Sequence, residues 1–194
     1  MEIDGPIGQL ASKLDAWLDR SVPVFSSQDS AAHGKAIRRG IAIVQEFDRL
    51  KAEGIAAITG LLNRDAAVAD SNRKAALIRA FEFGTRLADA LHDEFLDTDG
   101  ENMVWRLLDK IVLNLDKIAP GRASLDILFD CPDPGVRASA GAYLIDLMPE
   151  RVIPILRDID EAGGGKSADF GAHWTLLAWE RERESRYSSL SKTT

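Results

Sequence analysis

The sequence predicts an all-α protein, and three observations carry that expectation. Apolar residues recur at three- and four-residue steps along almost the whole chain, the spacing that gathers them on one helix face. No segment alternates polar and apolar residues as a half-buried strand does. YLIDL and RVIPIL have strand-like composition, but each lies inside a longer helical pattern. Proline, glycine and acidic turns punctuate the helical runs. With 194 residues, 45% of them hydrophobic, the chain is sized for one sizeable domain or two small, closely coupled ones.

The elements follow in order. Ile7, Leu10, Leu14, Trp17 and Leu18 form the first stripe, with Pro23 just beyond it. SSQDS is a polar connector. A second helix from Ala31 to Lys51 carries Ile37, Ile41, Val44, Phe47 and Leu50, and Gly54 interrupts it at a good C-terminal position. IAAITGLL is then a short helix of its own. RDAAVADSNRKAALIRAFEF is another, with a break near Asp70-Ser71, and Leu87, Leu91 and Phe95 mark the next. DTDGEN breaks the pattern before a long amphipathic helix through Met103, Leu107, Leu108, Ile111, Leu115 and Ile118, which stops at Pro120-Gly121. RASLDILFD is short. Asp133 is the expected N-cap of the following helix, with Pro134 at its first position. Pro149 opens the helix of Val152, Ile155, Leu156 and Ile159, and Pro154 argues for a start one or two residues later. Gly163 to Gly165 end it. A last helix spans Ala168 to Arg186, and residues 188–194 read as a flexible tail. The expected total is nine or ten helices.

Two regions look alike. Ile43-Val44, Phe47-Asp48 and Leu50 precede Gly54, and a short helix ending in Leu61-Leu62 follows. Ile111-Val112, Leu115-Asp116 and Ile118 precede Gly121, and a short helix ending in Leu128-Phe129 follows. An acidic turn and an alanine-rich helix come after each. This degenerate repeat points to antiparallel helix pairs stacked on a continuous core. It divides the chain into an N-terminal helical region, 1–97, and a second helical domain, 101–187.

The turn and helix of CPDPGVRASAGAYLIDLMPERVIPILRDI resemble the D-x-x-V-R-x-x-A signature of HEAT-type repeats. The carrying residues are Asp133, Pro134, Val136, Arg137 and Ala140, then Tyr143, Leu144 and Pro149-Glu150. Ala172, Trp174, Leu176, Leu177 and Trp179 follow in the closing helix. Residues 101–182 resemble a bacterial HEAT-like family catalogued as a domain of unknown function, number 2019. The resemblance implies a HEAT/armadillo-like stack, an α-solenoid, and no established activity. Asp133, Arg137 and Trp174 are read as structural: a cap, a guanidinium reaching a carboxylate or carbonyls of a neighbouring repeat, and a packing ring.

Motifs for chemistry fail on inspection. EAGGGKSADF contains Gly165-Lys166-Ser167, but the first glycine of a phosphate-binding loop would fall on Asp160, and a helix precedes it instead of a strand. The stretch reads as a connector with Ser167 or Asp169 capping the last helix. Asp169-Phe170-Gly171 lacks the other kinase motifs. Placing Gly100 at the sixth position of a calcium loop puts Phe95 and Arg106 where acidic ligands belong. Asp169 and His173, four apart, invite a metal or general-base reading, but a surface salt bridge is the commoner outcome of such a pair. Cys131, the single cysteine, is expected to pack, and it allows no internal disulfide. No catalytic residue, cofactor or metal site is expected.

The net charge of −7 repels nucleic acid and favours basic partners. No apolar run is long enough for a membrane span, and no secretory signal opens the chain, so a cytoplasmic protein is expected. The remaining pattern is acidic. Asp93, Glu94, Asp97, Asp99 and Glu101 form one cluster, Asp130 marks a second turn beside Asp133, and Asp158, Asp160 and Glu161 a third. Aligned on the edge of a helix stack, turns 97–101, 130–133 and 160–165 would present these carboxylates to a basic protein partner. The expected function is a non-catalytic protein-binding module, in its sharpest form an immunity protein that neutralises a bacterial toxin. The alternatives are a HEAT-like enzyme such as a DNA glycosylase, and a structural or regulatory scaffold.

Overall fold

Every regular element in the computed structural model is helical; it describes residues 6–21, 30–63, 70–163 and 166–190. Among these residues there are seven α-helices, one π-helical turn, one 3-10 segment and no strand. Helix α1 is Pro6–Ser21 and α2 is Ser30–Leu62. The break expected at Gly54 does not occur. A Cβ at that position would come within 2.7 Å of the Phe83 ring. Glycine is there to let α2 approach its neighbour, at a helix-propensity cost of about 1 kcal/mol. IAAITGLL is therefore the end of α2.

Helix α3 is Asp70–Ala90; residues 64–69, which the sequence places at the head of the same helix, lie outside the described residues, as do Pro23 and residues 26–29 of SSQDS, whose Ser30 opens α2. Helix α3 absorbs the helix expected to begin near Leu87. Its end is a π-turn, Leu91–Phe95, followed by Leu96 in the left-handed region at φ 52°. Asp97 then caps α4, Thr98–Leu115, by accepting from Gly100 N at 2.9 Å. After α4 the chain turns through Gly121, whose φ of 80° a side chain would strain. The 3-10 segment Gly121–Asp130 leads to α5, Pro134–Leu144. Helix α6, Pro149–Ala162, runs straight through Pro154, so its start is not displaced. Pro154 sits on the exposed side, where the carbonyl it leaves unbonded can be hydrated. Helix α7, Ser167–Leu190, extends past Arg186 and takes in residues 188–190 of the expected tail; residues 191–194 lie outside the described residues.

One core runs through the described residues. Leu14, Trp17, Phe47, Ile58, Phe81, Phe83, Leu108, Ile111, Leu125, Val136, Leu156 and Ala172 all belong to it. Helix α3 is central, packing against α1, α2, α4 and α5, while α5, α6 and α7 pack on one another. The apparent repeat diverges at its glycines: Gly54 lies inside an unbroken helix and Gly121 in a turn. No described helix is long and apolar enough to cross a membrane.

Candidate protein-binding groove

The site is assembled where the last turns of α3 meet the starts of α5 and α7. Asp133 caps α5 as the sequence predicts, its Oδ1 accepting from Gly135 N at 2.9 Å and Val136 N at 3.2 Å. Its Oδ2 lies 3.3 Å from Arg86 Nε. Arg86 also donates to Asp15, so one guanidinium ties α1, α3 and α5 together. Arg137 does not reach another repeat. Its Nη1 donates to Cys131 O at 2.9 Å and Pro132 O at 3.3 Å, clamping its own turn.

Asp89, one turn beyond Arg86 on α3, lies so close to the head of α5 that a Cβ on Gly135 would collide with its Oδ2. Ser167 Oγ donates to Asp89 Oδ1 at 3.0 Å and to Asp93 Oδ2 at 3.3 Å, and Ser167 N donates to Asp93 Oδ1 at 3.1 Å. Ser167 thus anchors α7 to α3 and the π-turn. The backbone closure of the connector belongs to Asp169, whose Oδ2 accepts from Lys166 N at 3.4 Å. Burial, reinforced by the charges of Asp133, Asp93 and Glu101 and opposed by the Ser167 hydroxyl, pushes the Asp89 carboxyl up to about 7.

Two hollows share Lys166 and Ser167. The smaller, about 170 Å³, is lined by Arg86, Asp89, Asp93, Glu94 and Asp133. The larger is an open groove of about 500 Å³ lined by His92, Asp160, Asp169, Phe170, His173 and Trp174. Phe170 is 63% exposed and Trp174 47%. Their rings meet edge to face at 5.7 Å, and the His173 ring lies 5.9 Å from Trp174. Trp174, read from sequence as a packing ring, is therefore half in solvent, whereas Trp179 packs against the core. His173 Nδ1 pairs with Asp160 Oδ2 at 3.3 Å, across the α6–α7 turn, so its partner is not Asp169 as the spacing suggested. His92 Nδ1 lies 3.1 Å from Glu101 Oε2, and that hydrogen bond holds the His92 imidazolium above its usual range.

The acidic residues named from sequence divide. Asp93, Glu94 and Asp133 line the hollow and Asp160 the groove. Glu101 reaches it through His92 and also accepts from Trp105 Nε1 at 3.2 Å. Asp97 turns to Lys51, 3.0 Å away; the Gly100 amide, then Lys51, holds its carboxyl below the usual range. Asp99 is exposed in the first turn of α4. Asp130, Asp158 and Glu161 are exposed and line neither hollow. Asp93, Glu94 and Asp133 are grouped where α3 meets the starts of α5 and α7; residues 164–165 lie outside the described residues.

Asp89 has no local signal, since a carboxylate inside a helix reads as solvated. Phe170 does have one. Ala168, Ala172 and Leu176 are buried at four-residue steps, and Phe170 and Trp174 lie two residues off that row, about 200° around the helix.

Among the described residues no group of three His, Cys, Asp or Glu side chains is placed to hold a metal ion. Burial, despite a backbone hydrogen bond, pushes the Cys131 thiol up, away from the reactive thiolate. The Ser167 hydroxyl donates to the carboxylates of Asp89 and Asp93. No family model, no curated protein and no solved structure matches the chain.

Proposed function

We propose that the protein is a non-catalytic interaction module of the cytoplasm that docks a basic protein partner in the groove beside α7. In this reading its helices form a HEAT/armadillo-like stack, as expected from the sequence of residues 101–182, and its sharpest form is an immunity protein covering the basic site of a toxin. The observation that carries the reading is the exposed Phe170–Trp174 pair set among carboxylates. Exposed tryptophan is a frequent anchor of protein interfaces, and the carboxylates favour a basic partner in the encounter. A DNA glycosylase needs a positive groove to hold phosphates; Asp160 and Asp169 in the groove, with Asp93 and Glu94 beside it, argue for protein over nucleic acid.

The test is affinity capture from the native cell with the tagged chain and its Trp174→Ala variant in parallel, eluted by rising salt. The expected result is one stoichiometric basic protein, released by salt and absent from the variant. A partner that the variant retains undiminished places the docking surface elsewhere, and no partner for either chain overturns the reading.

A further inference from the structure

The groove is more selective than an acidic patch. Two other aromatic side chains of this chain carry an arginine of their own. Arg151 Cζ lies 5.4 Å from the centre of the Phe129 ring and Arg183 Cζ 5.2 Å from that of Trp179. Among the described residues no lysine or arginine lies over Phe170 or Trp174, although these are the more exposed rings. The edge-to-face contact with Phe170 leaves much of Trp174 in solvent, and Asp160 and Asp169 line the same groove. Lys166, His92 and His173 share that lining; Asp160 already pairs with His173 and Asp169 accepts from Lys166 N, and a carboxylate with one such partner keeps acceptor sites for another. An indole face bordered by carboxylates is a seat for a cation.

Resting on the docking reading above, we infer that the groove takes one arginine side chain of the partner, its guanidinium stacked on Trp174 and bonded to Asp160 and Asp169. Arginine suits the seat better than lysine because its plane stacks on a ring while its fork addresses two carboxylates. A cation over an exposed ring and a surface ion pair are each modest. Together they set the expected preference for arginine over a neutral group of the same shape at about tenfold.

The experiment uses the full chain and three blocked pentapeptides, Gly-Gly-X-Gly-Gly with arginine, lysine or citrulline at X. The readout is the indole N–H resonance of Trp174 at low salt, assigned with Trp174→Phe. Citrulline keeps the shape of arginine and lacks its charge. The arginine peptide is expected to shift Trp174 saturably, about tenfold more tightly than citrulline and more tightly than lysine, and to leave Trp179 unmoved. Asp160→Asn and Asp169→Asn are each expected to weaken it severalfold. Equal binding of citrulline and arginine overturns the inference, as does a shift confined to Trp179 or no shift at all. If the peptide fails while partner capture still depends on Trp174, the arginine seat falls and the docking reading stands. If the peptide shifts Trp174 but no partner is captured, the seat stands and the docking reading falls.

Discussion

Trp17 and Trp174 carry the same side chain on amphipathic helices and end in opposite environments. Trp17 is 2% exposed and lies against Phe47 and Phe95 with ring centres 4.7 and 5.5 Å away, while Phe47 and Phe95 stack at 4.3 Å. Its indole N–H donates to Ile43 O at 3.0 Å, so nothing polar is left unmet. Trp174 makes T-shaped contacts with the Phe170 and His173 rings, and nearly half of it faces water. The difference lies in what shares each helix face. Trp17 continues the row of Leu10 and Leu14, three residues past Leu14, so the row that builds the core takes the ring with it. In α7 the inner row is Ala168, Ala172 and Leu176, small enough for close helix packing, and the rings fall outside it. Bulk at the surface with alanine inside reverses the usual pattern of burial.

The largest test of this comparison is Trp17→Ala. It removes a fully enclosed ring and should cost about 3–5 kcal/mol, read as a urea midpoint shift or a melting temperature lower by about 10 °C. A loss under about 1 kcal/mol would mean that the cluster collapses without strain, and the two tryptophans would no longer be opposites.

Gly135→Ala tests how tightly the polar hollow is built. The new methyl meets Asp89, which Ser167 restrains, so one of the two must move. The expected cost is about 2 kcal/mol. Gly171→Ala is the matched control on the groove side of the molecule. A Cβ there meets nothing within 4 Å, and the change should stabilise α7 by about 0.5–1 kcal/mol. Equal effects at the two glycines would deny the hollow its close packing.

Asp89 adds a pH dependence. Its carboxyl titrates near 7 in the folded chain, raised from 3.8. Between these values the native state holds a proton that the unfolded chain has released, so stability from this group falls as pH rises from about 4 to 7. Asp89→Asn should remove that slope and gain up to about 4 kcal/mol over wild type at pH 8, with little difference at pH 4. His92, also raised, loses stability as pH climbs through its folded value; Glu101 is the main cause of that rise and Asp89 the last of its causes, so most of it is common to both chains. The wild-type-minus-variant difference in urea denaturation therefore reports chiefly on Asp89. A difference that stays flat from pH 4 to 8 would mean that the hollow does not hold the proton.

How much of this was legible depends on whether the cause was local. The Asp133 cap and Pro134 at the first turn are local chemistry, and the sequence shows them; α4 stops at Leu115, short of the Pro120-Gly121 stop expected for it. Gly54 looked like a helix end because the ring that requires it, Phe83, is 29 residues away in sequence. Asp89 was invisible for the same reason: Gly135 and Ser167, which define its surroundings, belong to other helices. Arg137 was expected to act at a distance and instead closes its own turn. The groove stands between these cases. The spacing of Ala168 and Ala172 is a local signal for an outward Phe170 and Trp174, although Trp174 was read as a packing ring; that His92 and Asp160 line one groove has no such signal.

The smallest expected stability effect is the most informative. Trp174→Ala should change unfolding free energy by less than about 0.5 kcal/mol, the usual range for a surface position, while abolishing capture of the basic partner. Phe170→Ala, removing the ring that meets Trp174 edge to face, should act in the same direction with a weaker loss of capture. If Trp174→Ala instead costs 2 kcal/mol or more, its buried half does the packing that the sequence first suggested, and lost capture would then be confounded with lost fold. Trp174→Phe separates the two. It keeps an aromatic face for a cation and gives up the larger area of an indole, so a docking role predicts partial capture at unchanged stability, and a packing role predicts full capture at reduced stability.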